Sequence, residues 1–289
     1  MRCAAPVPLP ASSEGGPRLV STSNSPNRSW TARLENALRE IEADGLASQG
    51  RVTAHQRVWI VYLTAIVSLL LMNYATIDVS VQVGASESLV AALEGVSPSL
   101  SEWFFPYRGL VGPAVWALGC FACYFVLPAL VARTLLGLPL SELGLRTERL
   151  QDSWRLFLAL YIPLAGVVVL AAQTPAFQAM YPFYRDPIGV GDATVWALLY
   201  ALQFFALEFF FRGFLCHGVR DALGRHTILL MTVPYVMIHF PKPIFETVGA
   251  AAAGLVLGFL SLRTGSIALG VALHIAVAWT MDIAALLSR

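Results

Sequence analysis

Apolar residues dominate seven stretches of the chain, at about 58–79, 110–132, 156–173, 193–216, 226–240, 245–262 and 266–287. Most approach the roughly 20 residues a helix needs to cross about 30 Å of hydrocarbon. Only helices and closed barrels satisfy their backbone in lipid, so long apolar runs predict an all-α polytopic transmembrane bundle of about seven spans. The runs at 226–240 and 245–262 are short and are separated by the break His239-Phe240-Pro241-Lys242-Pro243. They fit two short spans or one re-entrant pair, and two spans is the favoured reading. Segments 85–105 and 174–190 read as interfacial loops or half-helices, anchored among headgroups by Trp103, Phe104, Tyr181 and Tyr184. Gly249, Ala253, Gly254 and Gly258 repeat small residues about every four positions, which predicts a close helix neighbour there.

Residues 1–50 break this pattern, being rich in Ser, Pro and Gly. They predict a disordered polar cytoplasmic leader ending in a short helix at about Thr31–Ala47, ahead of a membrane domain over 51–289. The leader lacks the apolar core of a signal peptide, so the first span is expected to act as an uncleaved insertion signal. Arginine clusters before span 1, between spans 2 and 3 and between spans 4 and 5. This asymmetry predicts an N-terminus inside and a C-terminus outside.

Composition agrees with lipid as the solvent: 57% of the 289 residues are hydrophobic and 13% are charged. A net charge of +1 lacks the basic excess of a phosphate-binding surface, so no nucleic-acid partner is expected. Lys242 is the sole lysine among 19 basic residues; with the abundance of Ala, Leu and Gly, this suggests a bacterial cytoplasmic membrane. Cys120 and Cys123 form a CxxC within an apolar helix, where they read as small packing residues rather than a redox or zinc motif.

Against this background Glu208, Arg212, His239 and His274 stand out. An ionisable group inside a span costs roughly 2.5–3.5 kcal/mol on insertion scales, so it tends to face a cavity and find a partner. Glu208 and Arg212 are four apart on one helix and share a face, which suits an ion pair fixing helix packing as well as a catalytic role. His239 ends its run after an expected kink at Pro234, and His274 lies nine residues into the last run. A carboxylate and two imidazoles around a polar intramembrane cavity can activate water in two ways. Glu208 can be the general base, with the histidines orienting water and stabilising an oxyanion. Alternatively Glu208, His239 and His274 can hold a divalent metal such as zinc with one open position. Spacing alone favours neither. At about 1.5 Å per residue, straight spans put Glu208 and His274 in the cytoplasmic half and His239 nearer the outside.

Leu207-Glu208-Phe209-Phe210-Phe211-Arg212-Gly213-Phe214-Leu215 resembles the first motif of the CAAX prenyl protease 2 and bacteriocin-processing (CPBP, or Abi) family of intramembrane endopeptidases. That motif has two adjacent glutamates, three residues and an arginine. Tyr235 to His239 resembles the second motif, an aromatic residue four before a histidine, and His274 to Ala278 resembles the third. Ser141-Glu142-Leu143-Gly144-Leu145 is similar to the family's preceding polar helix, so the resemblance covers about 140–289. It implies an endopeptidase acting on a membrane-associated protein or peptide. Glu208 would help activate water, His239 and His274 would orient it or bind metal, and Arg212 would hold Glu208 ionised. Two positions depart from the pattern: Leu207 replaces the first glutamate, the family's water-activating residue, and Ala278 replaces an Asn. A helix distortion near Glu208, or Glu246, could substitute for the missing carboxylate, and Asp282 for the missing polar contact. The departures leave as an alternative a non-catalytic scaffold or maturation partner of the same family, and intramembrane Glu and His also suit a small transporter or proton relay.

Overall fold

The computed structural model describes residues 30–45, 51–146, 153–185 and 187–288. Most of the leader, with Cys3, lies outside the described residues. Helices account for nearly all of the remainder, and no strand occurs among the described residues. Helix α1 (Trp30–Gly45) matches the short helix expected at the end of the leader. Helices α2 (Ala54–Ile77), α3 (Val79–Val96) and α4 (Pro98–Leu136) follow, α4 being one long run that includes 3₁₀ and π turns. Then come α5 (Trp154–Ala171), the single turn-and-a-half α6 (Pro175–Met180), α7 (Val190–Leu223), α8 (His226–Met237), α9 (Ile244–Thr264) and α10 (Ala268–Leu287).

The helix starts are written in short polar residues. Thr53 opens α2 with a capping box: its hydroxyl accepts from the Gln56 N–H while the Gln56 side chain accepts from the Thr53 N–H. Asp192 does the same work at α7, accepting from the backbone N–H of Ile188 at 2.7 Å and Gly189 at 2.8 Å, and from the Tyr184 hydroxyl at 2.7 Å.

Six of the described helices (α2, α4, α5, α7, α9 and α10) are long and apolar enough to cross a bilayer. The expected span at 226–240 is the exception. Helix α8 has 12 residues, about 18 Å at 1.5 Å per residue, too short to cross hydrocarbon alone. It packs against α9 instead, as one wall of the bundle. The close approach lies at Gly254 and Gly258, where an added Cβ would meet Thr232 at 2.7 Å and Met231 at 3.0 Å. Gly249, expected in the same stripe, faces open space.

Helix α7 is the centre of the molecule. Phe209, Phe210, Phe211 and Phe214 are fully buried on it, and Tyr124 of α4 stacks on Phe210 at 4.5 Å. From Phe209 to Cys216 it is wound as a π-helix, a distortion that often marks functional sites. Helix α10 packs against α5 and α7, and α4 against α7. Cys120 is buried in the α4–α7 contact, with its thiol donating to the Gln203 carbonyl at 3.7 Å, in keeping with a packing role. By contrast, only Val168 of α5 is fully buried, and the face of that helix turned away from α10 offers its apolar surface outward.

The segments before α7 differ from expectation. Trp103 is exposed, as an interfacial anchor should be, but Tyr181 and Tyr184 are buried. Both phenols are drawn inward by polar partners, Glu246 and Lys242 for Tyr181 and Asp192 for Tyr184.

Candidate active site

The π turn begins immediately after Glu208, on the stretch where α7 passes α8, α9 and α10. Glu208 and Arg212 are both fully buried, and Nη1 of Arg212 lies 3.0 Å from Oε1 of Glu208. The expected ion pair is therefore present. The same carboxylate oxygen accepts from Nδ1–H of His274 at 2.5 Å. One oxygen thus takes a hydrogen bond from His274 and the ionic contact with Arg212. The second oxygen, Oε2, has no hydrogen-bond partner among the described residues and is directed at Gly270 of α10, where any added Cβ would collide with it. Glycine at 270 is what lets α10 come close enough for His274 to reach α7.

Tyr235 of α8 joins the remaining members. Its hydroxyl is 3.0 Å from Nε2 of His274, its ring centroid is 4.1 Å from the Arg212 guanidinium carbon, and its backbone carbonyl accepts from Nδ1–H of His239 at 2.7 Å. The His239 ring lies edge-on to the Tyr235 ring at 4.8 Å, and Phe204 stacks on His274 at 5.1 Å. The guanidinium over an aromatic face is a cation–π contact, strengthened where water is excluded. Tyr235 entered the sequence reading only as the aromatic of a motif. Its central place was not legible, because a tyrosine in an apolar helix also reads as packing.

These contacts remove the mismatch in depth. Helix α7 does not end near 216 but continues to Leu223, and α8 returns at His226 after a turn at Gly224, whose φ of 51° and ψ of −136° suit glycine. Glu208 lies 15 residues before the end of α7 and His239 lies 13 residues after the start of α8, so both reach similar heights. The turn is stabilised at its base by a buried ion pair, Arg57 to Asp221 at 2.9 Å.

The tautomers follow from the partners. A carbonyl only accepts, so His239 carries its proton on Nδ1 and presents a lone pair at Nε2, which has no hydrogen bond among the described residues. The carboxylate paired with Arg212 likewise only accepts, so His274 carries a proton on Nδ1, and as the neutral imidazole its Nε2 accepts from the Tyr235 hydroxyl. Both nitrogens of His274 are engaged; one nitrogen of His239 is open.

Glu246 does not join this cluster. Its carboxylate is held by Lys242 at 2.6 Å and by the Tyr181 hydroxyl at 2.8 Å. Lys242 also donates to the Tyr181 oxygen at 2.7 Å. Burial pushes the Tyr181 phenol well above its usual range, so it stays neutral and can donate to Glu246. This group ties the 181–183 segment to the turn that carries His239, whose carbonyl accepts from Thr247 at 2.8 Å. Asp282 accepts from the Trp196 indole at 2.9 Å, and Ala278 is buried against Tyr184, Trp196 and Tyr200, so Asp282 does not replace the motif's missing Asn beside His274. Leu207, at the position of the missing glutamate, is buried in the main apolar cluster. The Ser141–Leu145 segment contributes a 3₁₀ turn (Leu140–Leu143) against α7, with the Leu143 carbonyl 2.8 Å from where a Cβ on Gly213 would stand.

A metal does not fit these donors as they stand. Both His274 nitrogens and Nδ1 of His239 are committed to protein partners, Oε1 of Glu208 is shared by Arg212 and His274, and no set of three His, Cys, Asp or Glu converges among the described residues.

Residues 189–280 match a family model described as Rce1-like, type II CAAX prenyl endopeptidase Rce1-like. No curated protein and no solved structure matches the chain. The match spans Glu208, Arg212, Tyr235, His239 and His274, the residues that the fold gathers. Residues 189–280 are therefore similar to the Rce1-like type II CAAX prenyl endopeptidases, in the part of the chain that holds the site.

Proposed function

We propose that the protein is an intramembrane endopeptidase hydrolysing a peptide bond of a membrane-associated protein or peptide. The observation that carries this reading is the chain of contacts Arg212–Glu208–His274–Tyr235, with His239 packed on the same tyrosine inside the Rce1-like match. In this mechanism His239 is the general base. Its Nε2 takes a proton from water as the water oxygen bonds to the scissile carbonyl carbon and the carbonyl π pair moves to oxygen. The protonated imidazole then returns its proton to the amide nitrogen while the C–N bond breaks. Glu208 orients His274 rather than activating water itself, and Arg212 offsets the buried carboxylate charge. No step runs through a metal.

The test is cleavage of a prenylated CAAX-type peptide by the purified full-length protein in lipid vesicles. The wild type should release the C-terminal fragment, and His239→Ala should lower kcat about 10²–10⁴-fold, the usual worth of a general base. A wild type that leaves a panel of such peptides intact contradicts the reading.

A second reading has its own support. Leu207 lies in the apolar core and Glu208 is wholly enclosed, as a family member retained for its fold as a scaffold or maturation partner would show. Leu207→Glu separates the two. Hydrolysis gained from nothing supports the scaffold; an already active wild type removes it.

A further inference from the structure

The two histidines of the site are not equivalent, and the difference has one source. Tyr235 touches both: its carbonyl fixes the proton of His239 on Nδ1, and its hydroxyl occupies Nε2 of His274. The phenol is about as buried as any group in the bundle, at 1% exposure, and its ring is clamped by Arg212 on one side and by Phe211, edge-on at 5.1 Å, on another. A hydroxyl so confined has little freedom to turn elsewhere.

Resting on the endopeptidase reading, we infer that Tyr235 is a positioning residue whose hydroxyl closes off His274 as a proton acceptor and so assigns the base to His239. An aromatic ring alone satisfies the packing and the cation–π contact, and any residue supplies the backbone carbonyl. The hydroxyl is the one part of Tyr235 that packing does not require; it lies 3.0 Å from Nε2 of His274 and also interacts with the Arg212 side chain, which as a cation can only donate to it and so leaves its proton for His274. Without it Nε2 of His274 becomes a second, competing lone pair beside the same tyrosine, and the imidazole loses one of the two hydrogen bonds that fix its plane. Water then has two acceptors in place of one defined attack geometry, and small misplacements of reacting groups cost up to about 10²-fold in rate.

Tyr235→Phe is the test, because it keeps the ring and the backbone carbonyl. Against a prenylated CAAX-type peptide, kcat should fall about 10–100-fold with KM within about twofold. A variant with wild-type kcat, or one that loses kcat and KM together, overturns the inference while leaving the endopeptidase reading in place; an inactive wild type removes that reading and this inference with it. Should Tyr235→Phe fail to fold, ¹⁵N spectra of histidine-labelled wild-type protein decide, with His274 assigned through His274→Gln. The inference requires a protonated Nδ1 and a hydrogen-bonded, unprotonated Nε2 on His274. A protonated Nε2 overturns it.

Discussion

Glu208 and Arg212 illustrate how much one pair of residues can hold in place. Each is fully buried, and each is the other's main compensation. Removing one partner of such a pair strands a charge in an apolar interior, at a cost of about 3–5 kcal/mol, whereas replacing both with apolar residues is often neutral. Glu208→Leu should therefore lower the thermal unfolding midpoint in detergent sharply, and Glu208→Leu/Arg212→Leu should recover most of the loss while remaining inactive. If the double variant is as unstable as the single one, the pair is not the source of the effect. At this scale the sequence was informative where charge met lipid. Glu208, Arg212 and His274 were conspicuous because their placement in apolar runs needs an explanation, and the first two are one helical turn apart. The Tyr235 hydroxyl and the capture of Glu246 by Lys242 and Tyr181 were hidden, because both depend on contacts between segments far apart in the chain.

Elements bring these residues within reach of one another, and glycine governs two of the approaches. At Gly270 an added Cβ would strike Oε2 of Glu208. Gly270→Ala should push α10 from α7, break the 2.5 Å contact between His274 and Glu208, and abolish most peptide cleavage; wild-type turnover in this variant would show that the carboxylate can move without consequence. At Gly254 a Cβ meets Thr232, so Gly254→Val should overpack the α8–α9 contact and cost about 1–3 kcal/mol, read as a lower unfolding midpoint. The expected stripe of small residues was right where α8 crosses α9 and wrong at Gly249, which the crossing does not reach. Helix lengths were the weaker part of the reading. Hydropathy sees apolar runs but not where a polar end is paid for by pairing, so the continuation of α7 through Arg220 and Asp221, anchored by Arg57, was invisible. That continuation is also why His239 arrives level with Glu208.

The whole molecule is a helical membrane bundle built around α7, with six helices able to span and α8 packed on α9 as a short wall. The arginine asymmetry of the loops supports an N-terminus on the cytoplasmic side. Reporter fusions to the N-terminus should accordingly be active only in the form that works in the cytoplasm, and the opposite pattern would reverse the orientation. Because His239 and His274 have too few uncommitted nitrogens to hold a metal with Glu208, chelators should leave peptide cleavage within about twofold of the untreated rate, a margin of no more than about 0.4 kcal/mol in barrier. A loss that zinc restores would contradict the metal-free mechanism. The most direct test of the central claim is a rate comparison of wild type, His239→Ala and His239→Gln on one prenylated peptide, with the new carboxyl terminus identified by mass spectrometry. The account predicts one defined cleavage site for the wild type and a fall of at least about 10²-fold for both variants; wild-type rates in either variant would contradict it.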